Sequence, residues 1–183
     1  GVGMGHWNGH GNESGIYMGS DPFFNSSDAD GLTNGDKTGI VVSIACDCAA
    51  WDWVTGGDCM AEHMVNRVGG GCIATIMNTR YGYGAIGPGG GYVPGPSERL
   101  DTTFFAGVFY YGAPHTGQAL ARSKACWAPY ADSSYQYDMQ RYCIYELSLI
   151  GDPETPLWTD EPTALSVSHA GVVNIGNNIP YSV

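Results

Sequence analysis

Apolar positions in the first half of the chain change between two spacings. Residues 39–45 form a continuous apolar run with β-branched side chains, which predicts a strand buried on both faces. From a cap at Asp58 to about Val68, apolar residues recur every three or four positions and predict a helix. Residues 72–77 repeat the strand pattern. This strand–helix–strand order predicts an α/β fold with a mostly parallel sheet.

The second half begins with a segment that favours no regular element. Residues 78–98 are rich in Gly, Pro and Tyr and predict a long functional loop that borders the crevice at the strand ends. Helical spacing then predicts three helices, over residues 102–111, 116–128 and 132–149.

The end of the chain has a different character. Residues 165–169 and 172–175 alternate apolar and polar side chains, which is typical of strands. We therefore divide the chain into a main α/β domain at 1–160 and the start of a truncated β-sandwich domain at 161–183.

Composition excludes some partners and favours a compartment. A net charge of −11 with only 7 Lys+Arg disfavours a nucleic-acid partner and an anionic membrane surface. No run approaches the roughly 18 apolar residues that predict a membrane span. Charged residues make up only 14% of the chain beside 28 glycines, a balance typical of exported proteins. We expect a secreted or cell-surface protein.

Two residues carry the candidate chemistry. His10 lies between Gly9 and Gly11, and glycines allow the backbone to approach a substrate closely. Cys46 ends the first buried strand, where a thiol is fixed in position and open on one side. A nearby imidazole could stabilise its thiolate and then protonate a leaving amine. Each residue alone also has a plain explanation, a loop histidine or a core cysteine.

Five ordered segments together share the pattern of one enzyme family. They resemble the gingipain family of cysteine peptidases, within the caspase-like clan, in which a strand-end His-Gly precedes a strand-end Cys. The segments are His10-Gly11, Cys46 with Trp51-Asp52, Cys59 to Glu62, Gly71 to Ile76, and Leu147 to Trp158 with its Gly-Asp-Pro.

This resemblance implies a caspase-like three-layer sandwich with a mostly parallel sheet. Residues 1–160 would be the C-terminal part of the catalytic domain, and 161–183 the start of an immunoglobulin-like domain. The upstream half of the catalytic domain and the rest of the immunoglobulin-like domain would lie outside this chain.

The resemblance also implies a cysteine endopeptidase that hydrolyses protein or peptide substrates. His10 would be the general base and acid, Cys46 the nucleophile that forms an acyl-thioester, and the N–H groups of Gly11 and Cys46 the oxyanion hole. The loop after the second strand would bind substrate through Asn78, Arg80 and Tyr81. Arg80 could select an acidic side chain, although an exposed or salt-bridged arginine is the simpler explanation.

Several alternatives stay open. Cys48 is a rival nucleophile, two positions beyond Cys46. His6 and His10, with the two cysteines, could instead bind a metal, although the flanking glycines disfavour the helix that such spacing needs. A catalytically inactive surface or binding module on the same fold is a third hypothesis. Glu13 receives no role.

The dyad chemistry requires no cofactor. Members of the family can hold structural calcium, and the aspartates of residues 28–30 and 34–36 are candidate ligands. Solvated turns are the simpler explanation of those two segments.

Overall fold

The computed structural model describes residues 3–19, 23–53, 56–86, 92–132, 134–160 and 166. The elements follow in the order β1 (Met4–Trp7), β2 (Gly11–Asn12), β3 (Gly15–Tyr17), β4 (Phe23–Asn25), α1 (Ser26–Asp30), β5 (Ile40–Ser43), α2 (Met60–Asn66), β6 (Ala74–Asn78), β7 (Ala85–Ile86), β8 (Tyr92–Val93), α3 (Pro96–Phe109), α4 (Thr116–Trp127), a 3₁₀ helix (Ala128–Tyr130), α5 (Met139–Glu146) and β9 (Leu147–Ile150).

A four-stranded sheet with the order β1-β5-β6-β9 forms the centre of the molecule. β1, β5 and β6 are parallel, and β9 runs antiparallel to β6. The register pairs Trp7 with Ser43 and Ser43 with Met77, so the carboxyl ends of the three parallel strands are level. The predicted α/β class and mostly parallel sheet are confirmed.

Alternate residues of β5 face two separate cores, which makes the fold three-layered. Ile40 and Val42 pack on one face in a cluster with Phe104 of α3. Val41 packs on the other face in a cluster with Met60 of α2. All four residues of β5 are buried, which explains its continuous apolar run.

The predicted first helix is correct in place but not in its cap. Cys59, not Asp58, is the N-cap, and its amide donates to the Glu62 carboxylate over 2.8 Å. A carboxylate at this third helical position closes a capping box, which fixes the start of the helix one residue later than predicted.

The predicted helix over 132–149 is wrong at both ends. α5 covers only eight residues, and residues 147–150 form strand β9 against β6. Apolar residues recur every few positions through both α5 and β9, so their spacing does not mark the boundary between helix and strand. The unpaired edge of β6 decides the outcome, because its backbone groups need partners.

The predicted long loop contains more structure than expected. β7 and β8 form a short hairpin within it, and α3 begins at Pro96 rather than near residue 102. The predicted β-sandwich segment, 161–183, lies outside the described residues except for position 166. Among the described helices, none has the length and apolarity that a membrane crossing requires.

Candidate active site

His10 and Cys46 follow the ends of two neighbouring strands. β1 and β5 are parallel partners, with Trp7 opposite Ser43. His10 lies three residues beyond Trp7, and Cys46 lies three residues beyond Ser43. Carboxyl ends of adjacent parallel strands share one edge of the sheet, so the two loops emerge side by side.

Gly11 brings the histidine loop into contact with the cysteine turn. A Cβ added to Gly11 would lie 2.8 Å from the Ala45 Cβ and 3.1 Å from the Cys46 carbonyl oxygen, closer than a side chain tolerates. Only glycine therefore fits here. The His10 carbonyl accepts the Tyr17 amide over 2.9 Å, which ties the same loop to β3 and leaves the His10 side chain exposed.

The turn that carries Cys46 has an unusual backbone. Asp47 has φ of +57°, and among the described residues it alone shows positive φ without being glycine. The Asp47 amide donates to the Arg80 carbonyl and the Ala49 amide to the Asn78 carbonyl, each over 2.9 Å. Sparsely populated backbone conformations of this kind persist where the surroundings enforce them, and they cluster at active sites.

The Cys46 thiol is partly exposed and lies 3.9 Å from the Gly82 carbonyl oxygen. Burial raises its pKa above the ordinary value, and the nearby carboxyl groups of Asp47 and Glu146 raise it further. At neutral pH this thiol is protonated in the free site. A thiolate here needs a positive partner, such as an imidazolium.

Cys48 occupies a different environment. It is fully buried, and its thiol lies 3.3 Å from the Cys46 carbonyl oxygen and 3.7 Å from the Gly15 carbonyl oxygen. Burial raises the pKa of this thiol strongly. Of the two cysteines, Cys46 is the one that a substrate can reach.

The three residues predicted to bind substrate have different surroundings. Asn78 is only 1% exposed, and its amide donates to the Ile44 carbonyl over 2.9 Å. Arg80 forms a two-pronged ion pair with Asp52, which places a carboxylate on its guanidinium. Tyr81 is exposed and free to meet a ligand.

A cleft of about 320 Å³ opens on the β6 side of the Cys46 turn, lined by Trp51, Asp52, Thr79, Arg80, Tyr142, Tyr145 and Glu146. Glu146 is 3% exposed, and neither carboxyl oxygen has a partner of good hydrogen-bond geometry in the described part of the chain. Burial raises its pKa to about 8, although the nearby Cys143 thiol and Arg80 amide favour the charged form.

Three of the candidate metal ligands, His6, Asp28 and Asp30, have partners within the protein. His6 lies 2.9 Å from the Asp101 carboxylate on α3, and Asp30 lies 2.9 Å from the His63 ring. Asp28 accepts the Asn25 amide over 2.9 Å and so caps α1. Within the described ranges, no group of three or more His, Cys, Asp or Glu residues is placed to hold a metal ion.

The family model for peptidase family C25 matches residues 1–158. The chain belongs to peptidase family C25, the gingipain family. The family predicted from the five ordered segments is thereby confirmed. No curated protein sequence matches the chain.

Solved structures of similar fold support the same architecture for this C25 chain. A crystal structure of the Arg specific cysteine proteinase gingipain R (RGPB) has a TM-score of 0.70 at 18% identity, covering 94% of this chain and 37% of that one. A structure described only as a protease has a TM-score of 0.70 at 16% identity, covering 95% of this chain and 39% of that one. A complex of the pro- and mature domains of RgpB from Porphyromonas gingivalis has a TM-score of 0.67 at 16% identity, covering 94% of this chain and 38% of that one.

The C25 chain thus spans less than two-fifths of the length of these structures. At such low identity the likeness establishes the fold, which confirms the predicted caspase-like arrangement. Two residues of the candidate site had no signal in the sequence. The sequence around Asp47 does not predict its positive φ. Glu146 lies in a helical pattern, where a charged residue normally faces solvent, but it is buried.

Proposed function

We propose that this C25 chain carries the catalytic dyad of a cysteine endopeptidase, with Cys46 as nucleophile and His10 as general base and acid. The observation that supports this most directly is the contact between the His10-Gly11 segment and the Cys46 turn at neighbouring strand ends. The exposure of His10 and the partial exposure of Cys46 leave both side chains open to a substrate.

The reaction begins when the Cys46 thiol gives its proton to the His10 imidazole. The sulfur then bonds to the scissile carbonyl carbon, and the N–H groups of Gly11 and Cys46 hold the oxyanion. Each such donor supplies about 2.7–4 kcal/mol in comparable sites. The imidazolium returns the proton to the leaving nitrogen, the C–N bond breaks, and an acyl-thioester remains.

Water completes the cycle. His10 takes a proton from water as the oxygen bonds to the acyl carbon, and the C–S bond breaks as that proton passes to sulfur. The raised pKa of Cys46 makes His10 indispensable in this scheme, because burial and two neighbouring carboxyl groups disfavour a lone thiolate. No cofactor takes part in any step.

The Glu146 cleft suits a positively charged substrate side chain. A buried carboxyl group without a well-placed partner gains most from a cation that supplies hydrogen bonds and charge together. Trp51, Tyr142 and Tyr145 line the cleft with aromatic rings, which attract cations through their faces. The similar gingipain R structure is described as Arg specific.

Arg80 does not oppose this preference strongly. Its guanidinium already pairs with Asp52, so these two charges cancel. Glu146, whose pKa is about 8, then has to lose its proton to pair with an incoming cation. Selection of an acidic substrate side chain by Arg80 would first require breaking that ion pair.

We also propose an extracellular or cell-surface site of action, on the low content of charged residues and the family. Residues 161–183 would begin an immunoglobulin-like domain, and an upstream half of the catalytic domain would complete the enzyme. These two additional parts of the protein agree with the fact that the chain covers only 37% and 38% of the similar structures.

Hydrolysis of fluorogenic peptides by the full-length natural protein tests the dyad. Cys46→Ala and His10→Ala should each abolish turnover. Cys48→Ala should retain it, because that thiol is buried. Turnover that survives Cys46→Ala would refute the assignment of the nucleophile. A folded wild type that hydrolyses no peptide would favour the inactive binding module.

A further inference from the structure

Asn78 holds the Cys46 turn from both sides. Its side-chain amide donates to the carbonyl of Ile44, two residues before Cys46, over 2.9 Å. Its own backbone carbonyl accepts the amide of Ala49, three residues after Cys46, over 2.9 Å. One buried residue at the end of β6 thus contacts both ends of the turn that carries the nucleophile.

The loop after β6 packs back onto the same contact. A Cβ added to Gly82 would overlap the Ile44 carbonyl oxygen and lie 2.7 Å from the Asn78 amide nitrogen. The Gly82 carbonyl oxygen also accepts from the Cys46 thiol, at 3.9 Å. The Ile44–Asn78 hydrogen bond therefore lies between the backbone of the turn and the backbone of the loop above it.

The turn needs external support because its own conformation is unfavourable. Positive φ at a residue such as Asp47 is unfavourable, and it persists only where neighbours enforce it. The Asp47 amide donates to the Arg80 carbonyl, and the two Asn78 bonds hold the backbone on either side of Asp47.

We propose that Asn78 is a positioning residue, which fixes the Ile44–Ala49 turn and thereby the attack geometry of Cys46, rather than a group that touches substrate. This inference rests on the proposed role of Cys46 as the nucleophile. We propose this positioning role in place of the direct substrate binding that the sequence suggested for Asn78. The side chain is 1% exposed and already bonded to Ile44, so it is poorly placed to contact a ligand.

Two substitutions remove the side-chain bond in different ways. Asn78→Ala deletes the donor, and Asn78→Asp replaces it with a carboxylate that cannot donate to the Ile44 carbonyl when ionised. Both should lower kcat by about tenfold to a hundredfold with KM changed less than about threefold, because misplacement of a reacting atom affects the chemical step. Alkylation of Cys46 by iodoacetamide should slow in parallel.

Asn34 provides a matched control. Asn34 is partly buried, and its amide likewise donates to backbone carbonyls, those of Lys37 and Gly71, over 2.8 and 2.9 Å. It lies on a loop away from the cysteine turn. Asn34→Asp and Asn34→Ala should lower the stability of the protein but leave kcat and the alkylation rate of the folded protein unchanged.

Unchanged kcat and Cys46 alkylation in folded Asn78 variants, with an active wild type and an inactive Cys46→Ala, would overturn the positioning role alone. A wild type that neither cleaves peptides nor labels at Cys46 would overturn the proposed function instead. Equal losses of kcat in the Asn34 variants would also refute a specific role for Asn78.

Amide hydrogen exchange in the wild type tests the same contact without any substitution. The Ala49 amide, which donates to the Asn78 carbonyl at the end of β6, should exchange about 100-fold or more slowly than unbonded loop amides. Exchange at the rate of unbonded amides would show that β6 does not hold the turn. This measurement tests whether Asn78 holds the Cys46 turn even if the Asn78 variants do not fold.

Discussion

The amide of Asp47 donates to the carbonyl of Arg80 over 2.9 Å, and this bond closes the turn that carries Cys46. The bond joins the end of β5 to the loop after β6, the next strand of the sheet. It also brings the Asp47 carboxyl group close enough to Cys46 to raise the pKa of the thiol. Asp47 thus shapes the backbone at Cys46 and opposes ionisation of the Cys46 thiol.

Asp47→Asn separates these two effects. Asparagine tolerates positive φ as aspartate does, so the turn should keep its shape. Loss of the carboxylate should lower the pKa of Cys46 and raise its iodoacetamide alkylation rate at pH 7.5 several-fold, as measured across a pH series. Asp36→Asn, on an exposed loop, should leave the profile unchanged. A higher pKa in Asp47→Asn would contradict the electrostatic account.

Gly11 should tolerate no side chain. In Gly11→Ala the new methyl group would press on Ala45 and the Cys46 carbonyl, and overpacking of this kind costs about 1–3 kcal/mol. We expect kcat/KM to fall by at least about tenfold, because the histidine loop must move away from the cysteine turn. Gly5→Ala on β1 makes only ordinary contacts and should be near neutral. Full activity of Gly11→Ala would show that the two loops need not touch.

Glu146 should make stability depend on pH. Its folded-state pKa of about 8 lies above the ordinary value of 4.5, so the folded state binds more protons than the unfolded state between these values. Stability from this group is therefore complete below pH 4.5 and is lost as pH rises toward 8. Its loss amounts to a few kcal/mol at most, on the order expected for such a shift.

Glu146→Gln should remove that dependence. Thermal unfolding should show Tm falling less between pH 5 and pH 8 in the variant than in the wild type. Glu154→Gln, at an exposed residue, should behave as the wild type does. An identical pH dependence in Glu146→Gln and the wild type would mean that the Glu146 carboxyl group is ionised in the folded protein at neutral pH.

The same substitution tests the preference for a cationic side chain. A hydrogen-bonded charge pair is worth about 1.5–3 kcal/mol, so the ratio of kcat/KM for Lys or Arg peptides over norleucine peptides should fall about tenfold to a hundredfold in Glu146→Gln. A library with these residues at each position near the scissile bond would identify the subsite. An unchanged ratio at every position would exclude the cleft as a cation site.

The neighbouring positions of His10 and Cys46 were predictable because they depend on strand order. The β-branched run at residues 39–45 and the similar run at 72–77 identify two parallel strands, and parallel strands bring their carboxyl ends to one edge. The family motifs add β1, whose four residues give no strong strand pattern by themselves.

The remaining features depend on long-range contacts that leave no local pattern. Apolar residues continue at similar intervals from α5 into β9, and pairing with the edge of β6 makes β9 a strand. The positive φ of Asp47 follows from hydrogen bonds to residues more than 30 positions away. The burial of Glu146 depends on the packing of α5 over the loop after β6, and its sequence context predicts a solvent-exposed residue.

The identity of the nucleophile is the central claim, and labelling tests it most directly. The full-length natural protein would be treated with peptide acyloxymethyl ketones, and the modified residue would be mapped by mass spectrometry in the wild type, Cys46→Ala, Cys48→Ala and His10→Ala. We predict a single adduct on Cys46 that persists in Cys48→Ala and is lost in His10→Ala. An adduct on Cys48, or labelling of Cys46 that does not depend on His10, would contradict the dyad.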